Sequence, residues 1–323
     1  MTKDLPTRRD VLLASVALAA APATWAQVDR PVRLLVGFAA GGSADIAARS
    51  IAETMAVELR QPVVVENRPG AGGRIVAEAI KNAPADGSTL MLAPIVVPVL
   101  APLVFSKLPY DASSDFAPVA HVANFQFALS VAASHPAKSM RELVAWYRAN
   151  APKANFGSPA PGSLPHFFGL LIARSAGVEL VHVPYNGGAP LMNGLLGDQV
   201  TAAIDTTVEQ IELHKAGKVR LLAVSGARRS PLAPEVPTFV EQGIPVEGTG
   251  WFAVYAPART PDATVRALNA AVVKALAQPD LRERFARLGL EPTGGTPEQL
   301  AQRMRDDTAK WGPIVRASGF KAD

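Results

Sequence analysis

Short apolar runs alternate along the chain with stretches whose apolar residues recur every third or fourth position. The runs are VRLLVGF (32–38), PVVVEN (62–67), TLMLAP (89–94), FALSVAA (127–133), ANFGS (154–158), ELVHVPY (179–185), VTAAIDT (200–206), VRLLAVS (219–225) and WFAVYAP (251–257). Each has the length of a strand, and most are rich in β-branched or aromatic residues and bounded by Gly, Pro or Asn turns. Between the first two, Ala47, Ile51, Met55 and Leu59 repeat at four-residue spacing and make one buried stripe of a helix. MRELVAWYRAN and LNAAVVKALAQ read as further helices. Strands alternating with helices across short turns predict an α/β fold with mixed, mostly parallel sheets flanked by helices.

A chain of 323 residues with 49% hydrophobic positions suggests two lobes. No stretch has linker composition and no repeat of 20 to 50 residues appears, so the chain must cross between lobes along strands. The apolar strands near 124–133 and 247–257 are the crossings this predicts. The first lobe is then discontinuous, 27–123 plus 252–323; the second is 124–251, with a ligand cleft between them.

The N-terminus departs from this pattern. MTKDLPTRRDVLLASVALAAAPATWAQ has a basic stretch, an apolar run from Val11 to Ala21, and small residues before a cleavage site after Ala26. The run is too short for a hydrocarbon core of about 30 Å, so residues 1–26 read as a secretory signal rather than an anchor. Arg8 and Arg9 ahead of the apolar run point to the twin-arginine route, with Sec as the alternative. The expected product is soluble and periplasmic, and the absence of cysteine fits that compartment without requiring it. A net charge of +4 is too small and too evenly spread for a nucleic-acid surface.

Catalytic and cofactor motifs are missing. No lysine follows Gly41 and Gly42, so GFAAGGSAD is not a phosphate-binding P-loop. PGAGGR (69–74) follows a strand, yet Ile75 stands where a dinucleotide fingerprint needs its last glycine. GGSAD has Asp45 in place of the second glycine of a nucleophile elbow. None of the five histidines, 121, 135, 166, 182 and 214, pairs with another at metal-ligand spacing. The expectation is a non-enzyme with no cofactor and no metal. His166, following the loop GSPAPGS (157–163), either contacts a ligand or ties that loop down.

In order along the chain stand VENRPGAGG, HVPYNGGAP and KAGKVRLLAVSGARRSP, within longer segments such as RPVRLLVGFAAGGSADIAARSIAETM and LNAAVVKALAQPDLRERFARLGLEPTGGTPEQL. By these the chain resembles the Bug family, the extracytoplasmic receptors of tripartite tricarboxylate transporters. The resemblance implies a two-lobed periplasmic-binding-protein fold that closes on a small carboxylic acid, acts as a monomer and delivers its ligand to membrane permease subunits. A component presenting ligand to a membrane sensor kinase would use the same cleft. Carried over by position, the resemblance puts Phe38, Gly41, Gly42, Ser43, Asp45 and Val96 of the first lobe on the ligand wall. From the second lobe it adds Ser158, Gly162, Ser163, His166, Tyr185, Asn186, Gly187 and Asp205.

These residue types suit carboxylate capture. Amides at a helix start, reinforced by the helix dipole, form an anion seat. The glycines serve that seat or merely form turns; Ser43 reads as an N-cap; Tyr185 lines the lobe edge or packs as core. Asp45, in a first helical turn, must be turned away from an anionic ligand or protonated. One segment departs from the family: APIVVPVL (93–100) offers no side-chain donor where small hydroxyl and glycine residues are usual. A second carboxylate reaching it would meet Ile95, Val96 and Val97, so the departure favours a monocarboxylate with an apolar or aromatic body over citrate or other tricarboxylates.

Overall fold

A computed structural model describes residues 31–322; the secretory-signal reading of residues 1–26 lies outside the described residues. The apolar runs become strands and the periodic segments become the helices between them. The first stretch runs β1 (Val32–Val36), α1 (Ser43–Leu59), β2 (Val63–Asn67), α2 (Arg74–Lys81), β3 (Thr89–Pro94), α3 (Ala101–Val104) and β4 (Phe116–Phe125). A π-helical turn, Val96–Leu100, leads from β3 into α3. Then follow β5 (Phe127–Ala132), α4 (Met140–Ala149), β6 (Asn155–Ser158), α5 (Leu164–Ala176), β7 (Val181–Pro184), α6 (Gly188–Leu196), β8 (Ala202–Thr206), α7 (Thr207–Lys215) and β9 (Val219–Val224). The chain ends with β10 (Gly250–Pro257), α8 (Asp262–Leu276), α9 (Pro279–Arg287), β11 (Leu290–Gly294) and α10 (Pro297–Ser318).

Two mixed sheets result, ordered β11-β4-β10-β3-β1-β2 and β7-β6-β8-β5-β9. Strands β2, β1 and β3 pair in parallel, as do β7, β6 and β8, while β10 and β5 run antiparallel to their neighbours. Strand β11 was not anticipated. LEPTG carries Pro292 and Gly294 and alternates in burial, which an edge strand tolerates because only one side must pair.

Gln126 alone separates β4 of the first sheet from β5 of the second, and residues 225–249 make the return crossing. Ser225 pins both crossings: its hydroxyl accepts from the Phe127 N–H at 3.0 Å and donates to the Gly248 carbonyl at 2.7 Å. The last helix, α10, adds a brace. Thr296 and Gln299 form a capping box at its start, and Asp307 accepts from the Trp251 indole N–H at 2.7 Å. Trp311 then meets Phe168 of α5 at 5.7 Å. One apolar core, including Phe127, Phe168, Trp251 and Trp311, therefore runs continuously from one sheet to the other. Strand ends that emerge from this core carry the turns named above.

Candidate functional site

Every residue proposed for the ligand wall lies at or after the carboxyl end of a strand with a parallel neighbour, where open α/β sheets bind their ligands. After β1, Gly41 has φ +82°, and a Cβ there would meet nothing within 4 Å. Gly42 is the N-cap and Ser43 the first helical residue, with no side-chain capping bond, which corrects the reading of Ser43 as a cap. The Gly41 N–H is not free for a ligand either: it donates to Asp45 Oδ2 at 2.9 Å, and Arg49 Nε donates to the same oxygen at 3.0 Å. Burial pushes the Asp45 carboxyl up, but Arg49, the Gly41 amide and Asn67 together hold it below the usual carboxylate range. Asp45 is thus turned back on its own loop, ionised and paired with Arg49. The amides left over are those of Ser43, Ala44 and Asp45, because the first helical bond runs from the Ile46 N–H to the Gly42 carbonyl.

The loop after β6 closes on itself. Ser158 Oγ donates to the Ala160 carbonyl at 3.1 Å and accepts from His182 Nε2–H at 2.8 Å; Ser163 Oγ donates to the same carbonyl at 2.7 Å. Gly162, at φ +71°, donates its N–H to His166 Nδ1 at 3.2 Å. The His166 and His182 rings stack at 3.9 Å, and Phe320 meets His166 edge-on at 4.7 Å. Burial lowers both imidazoles to about 4, and for His182 the neighbouring His166 adds to the shift, so both are neutral near pH 7. Of the two roles open to His166, tying down the loop is the one its ring performs. The Gly162 amide, expected to serve a carboxylate, is occupied by that ring.

After β7 the residues diverge. The Tyr185 ring lies over Gly157 and Gly194 with its hydroxyl 3.4 Å from Gln199, so its side chain packs a satellite core rather than the lobe edge. Asn186 is exposed, and Gly187, at φ +107°, has open space before it. Asp205, next to last in β8, is almost fully buried. Its Oδ1 accepts from the Thr206 N–H at 2.7 Å, while Oδ2 has no hydrogen-bond partner among the described residues and faces Gly188 at the start of α6. Burial pushes its carboxyl up to about 7 against the pull of the Thr206 amide, and Glu209 pushes the same way.

Two places bring the sheets' edges together. A cavity of about 50 Å³ is bordered by Ser43 at the start of α1, Thr206 and Thr207 at the start of α7, and Phe125 and Gln126 of the crossing. Gly162 approaches the Val104 side chain and the Phe320 ring. Phe38 is half-buried against Gly73, and Val96 is half-buried in the π-helical turn. Its neighbours Ile95 and Val97 are buried in the core, which corrects the expectation that they face a ligand. A larger hollow, about 500 Å³, lies toward β11 and touches none of the proposed residues. Its two arginines are both committed, Arg228 to Glu291 and Arg229 to Glu241. No group of three or more His, Asp or Glu suited to a metal occurs among the described residues.

Sequence reading missed His182, Thr206, Thr207 and Arg74. His182 and Arg74 acquire their surroundings only through partners distant in the chain, Ser158 and Phe105 respectively. Thr206 and Thr207 could have been found, because a Thr-Thr pair ends the apolar run of β8 where a helix begins.

Residues 47–320 match the family described as tripartite tricarboxylate transporter family receptor. The protein BugT of Bordetella pertussis is 33% identical over 313 residues, 96% of each chain. A solved structure of R. palustris Rpa4515 with adipate is 33% identical, with a TM-score of 0.83 over 90% of this chain and 98% of that one. The Rhodopseudomonas palustris protein MatC, solved with bound malate, is 33% identical, with a TM-score of 0.79 over 88% and 99%.

Proposed function

Because the chain belongs to the tripartite tricarboxylate transporter receptor family, whose members bind solutes rather than catalyse reactions, we propose that it captures a small organic carboxylate between two lobes, 27–123 plus 252–323 and 124–251, in the periplasm. It then presents the closed complex to the membrane permease of such a transporter. Residues 1–26 serve as its export signal. No helix among the described residues is long and apolar enough to cross a membrane, which leaves membrane passage to the partner.

The observation that carries this reading is the free first turn of α1. Three amides, of Ser43, Ala44 and Asp45, precede the first helical hydrogen bond, and the only acid among them is already paired with Arg49. Such a turn attracts an anion without a basic side chain. Two relatives of similar fold hold adipate and malate, both carboxylates. Direct evidence comes from native mass spectrometry of the exported protein. A co-purified carboxylic acid supports the proposal; a sugar or a metal cation in its place refutes it.

A further inference from the structure

Arg74 is the first residue of α2, where the helix dipole disfavours a cation. Its guanidinium carbon lies 3.9 Å from the centroid of the Phe105 ring, and no carboxylate among the described residues pairs with it. The other arginines placed near the strand ends, Arg49 and Arg68, have carboxylate partners. A guanidinium held flat on an aromatic face keeps its forked N–H edge available and preorganised.

Its position is at the ligand edge of the first sheet. Gly37 and Gly73 are so close that a Cβ on Gly37 would lie 2.6 Å from Gly73 Cα, so the turn leading to α1 and the turn leading to Arg74 are in contact. Gly73 also abuts Phe38 and Val97, two residues of the neighbouring turns. Val104, just before Phe105, is the residue that meets Gly162 of the facing loop. The Tyr110 phenol donates to the Val97 carbonyl, and the nearby Arg74 charge opposes the upward push that burial gives it. Arg74 thus supplies, from β2's side, the polar group that APIVVPVL lacks.

We propose that Arg74, laid over Phe105, is the specificity-determining residue that takes the second carboxylate of a dicarboxylic acid whose first carboxylate rests on the α1 amides. This rests on the receptor reading above. It also replaces the preference for an apolar body, because Ile95 and Val97 are in the core and a fixed cation stands beside them. Forked charge-assisted bonds give such a residue leverage, about 10- to 100-fold in affinity.

The test is calorimetry of wild type, R74Q and R74K with the straight-chain dicarboxylates from succinate to adipate, each beside the monocarboxylate of equal length. Wild type is expected to prefer at least one dicarboxylate over its monocarboxylate by about tenfold or more. R74Q should lose that preference while its monocarboxylate affinity stays within about twofold, and R74K should fall between. An equal loss for both acids, or no loss for either, overturns the role of Arg74 and leaves the receptor reading standing. No binding of any of these acids to wild type overturns both.

Discussion

At the edge of the first sheet Asp45 sits ionised between the Gly41 amide and Arg49, and Glu66 is held by Arg33 and Arg68 with its carboxyl lowered to about 2. At the edge of the second sheet His166 and Asp205 are buried and His182 is half-buried, and desolvation drives the histidines toward neutral imidazole and the aspartate toward neutral acid. The first edge keeps its charges and pairs them with arginines that reach water. The second discards charge by desolvation. The two therefore differ in what perturbs them: salt acts on exposed pairs, whereas pH acts on buried groups without counter-ions.

Acid should produce the largest effect, through the histidine pair. Their folded values of about 4 lie below the ordinary 6.5, so the unfolded chain binds protons first as pH falls. Stability is intact above pH 6.5 and is lost as pH drops through about 4, by an amount on the order of 5 kcal/mol for both rings together. Protonation also removes the lone pair with which His166 Nδ1 accepts the Gly162 N–H. Urea unfolding at pH 7 and pH 4.5 checks this against H166N/H182Q, in which amides replace the two ring nitrogens in use. The double variant should show a clearly shallower acid loss; an unchanged slope would assign the loss to the carboxylates of the first edge.

Asp205 works with the opposite sign. Its folded value of about 7 lies above the ordinary 3.8, so the stability it contributes is full below 3.8 and is lost as pH rises toward 7. At about 1.4 kcal/mol per unit, the loss is on the order of 4 kcal/mol. D205N should be more stable than wild type at pH 8 and lose the advantage near pH 4. Equal stability of the two proteins at pH 8 would mean that Oδ2 has found a partner.

How much of this was legible in the sequence depends on how local each cause is. β3 and β10 are nearly continuous apolar runs buried on both faces, and β1 is one broken only by Arg33, so pattern alone marked them. The turns at Gly41 and Gly187 were legible for a similar reason, since positive φ selects glycine. Strand β11 was hidden because LEPTG has neither alternation strong enough nor β-branched residues beyond one threonine. The state of the amides was hidden too. That the Gly41 N–H goes to Asp45 and the Gly162 N–H to His166 follows from side-chain rotamers four residues on, which spacing permits but does not dictate. Arg74 was read only as the end of a glycine cluster, because Phe105 stands far off in sequence.

A smaller effect is expected where the edges meet. At Gly162, a Cβ would lie 3.1 Å from the Phe320 ring and 3.3 Å from Val104, and the residue already has φ +71°. G162A should cost about 1–2 kcal/mol, from left-handed backbone strain and the crowded contact. Thermal melts of the variant check this; an unaltered midpoint would show that the loop swings clear of Val104 in solution.

The smallest effect belongs to the first edge. The Arg33–Glu66 pair is partly exposed on both sides, so R33M should cost about 1 kcal/mol or less, and the cost should shrink in 0.5 M salt. Denaturant curves at low and high salt measure it. A loss of several kcal/mol that ignores salt would contradict the assignment of this edge to screened, water-facing pairs.

Carboxylate capture itself is tested most directly by titrating ligand-stripped protein calorimetrically with an acid that it binds and with the primary amide of that acid. The amide keeps the shape and one acceptor oxygen, but it puts an N–H donor where the second oxygen was and carries no charge for the α1 dipole to attract. The expected result is one molecule of acid bound per chain and at least a tenfold weaker amide. Equal affinity for acid and amide, or binding of neither across the carboxylic acids tested, would contradict capture of a carboxylate anion at this helix start.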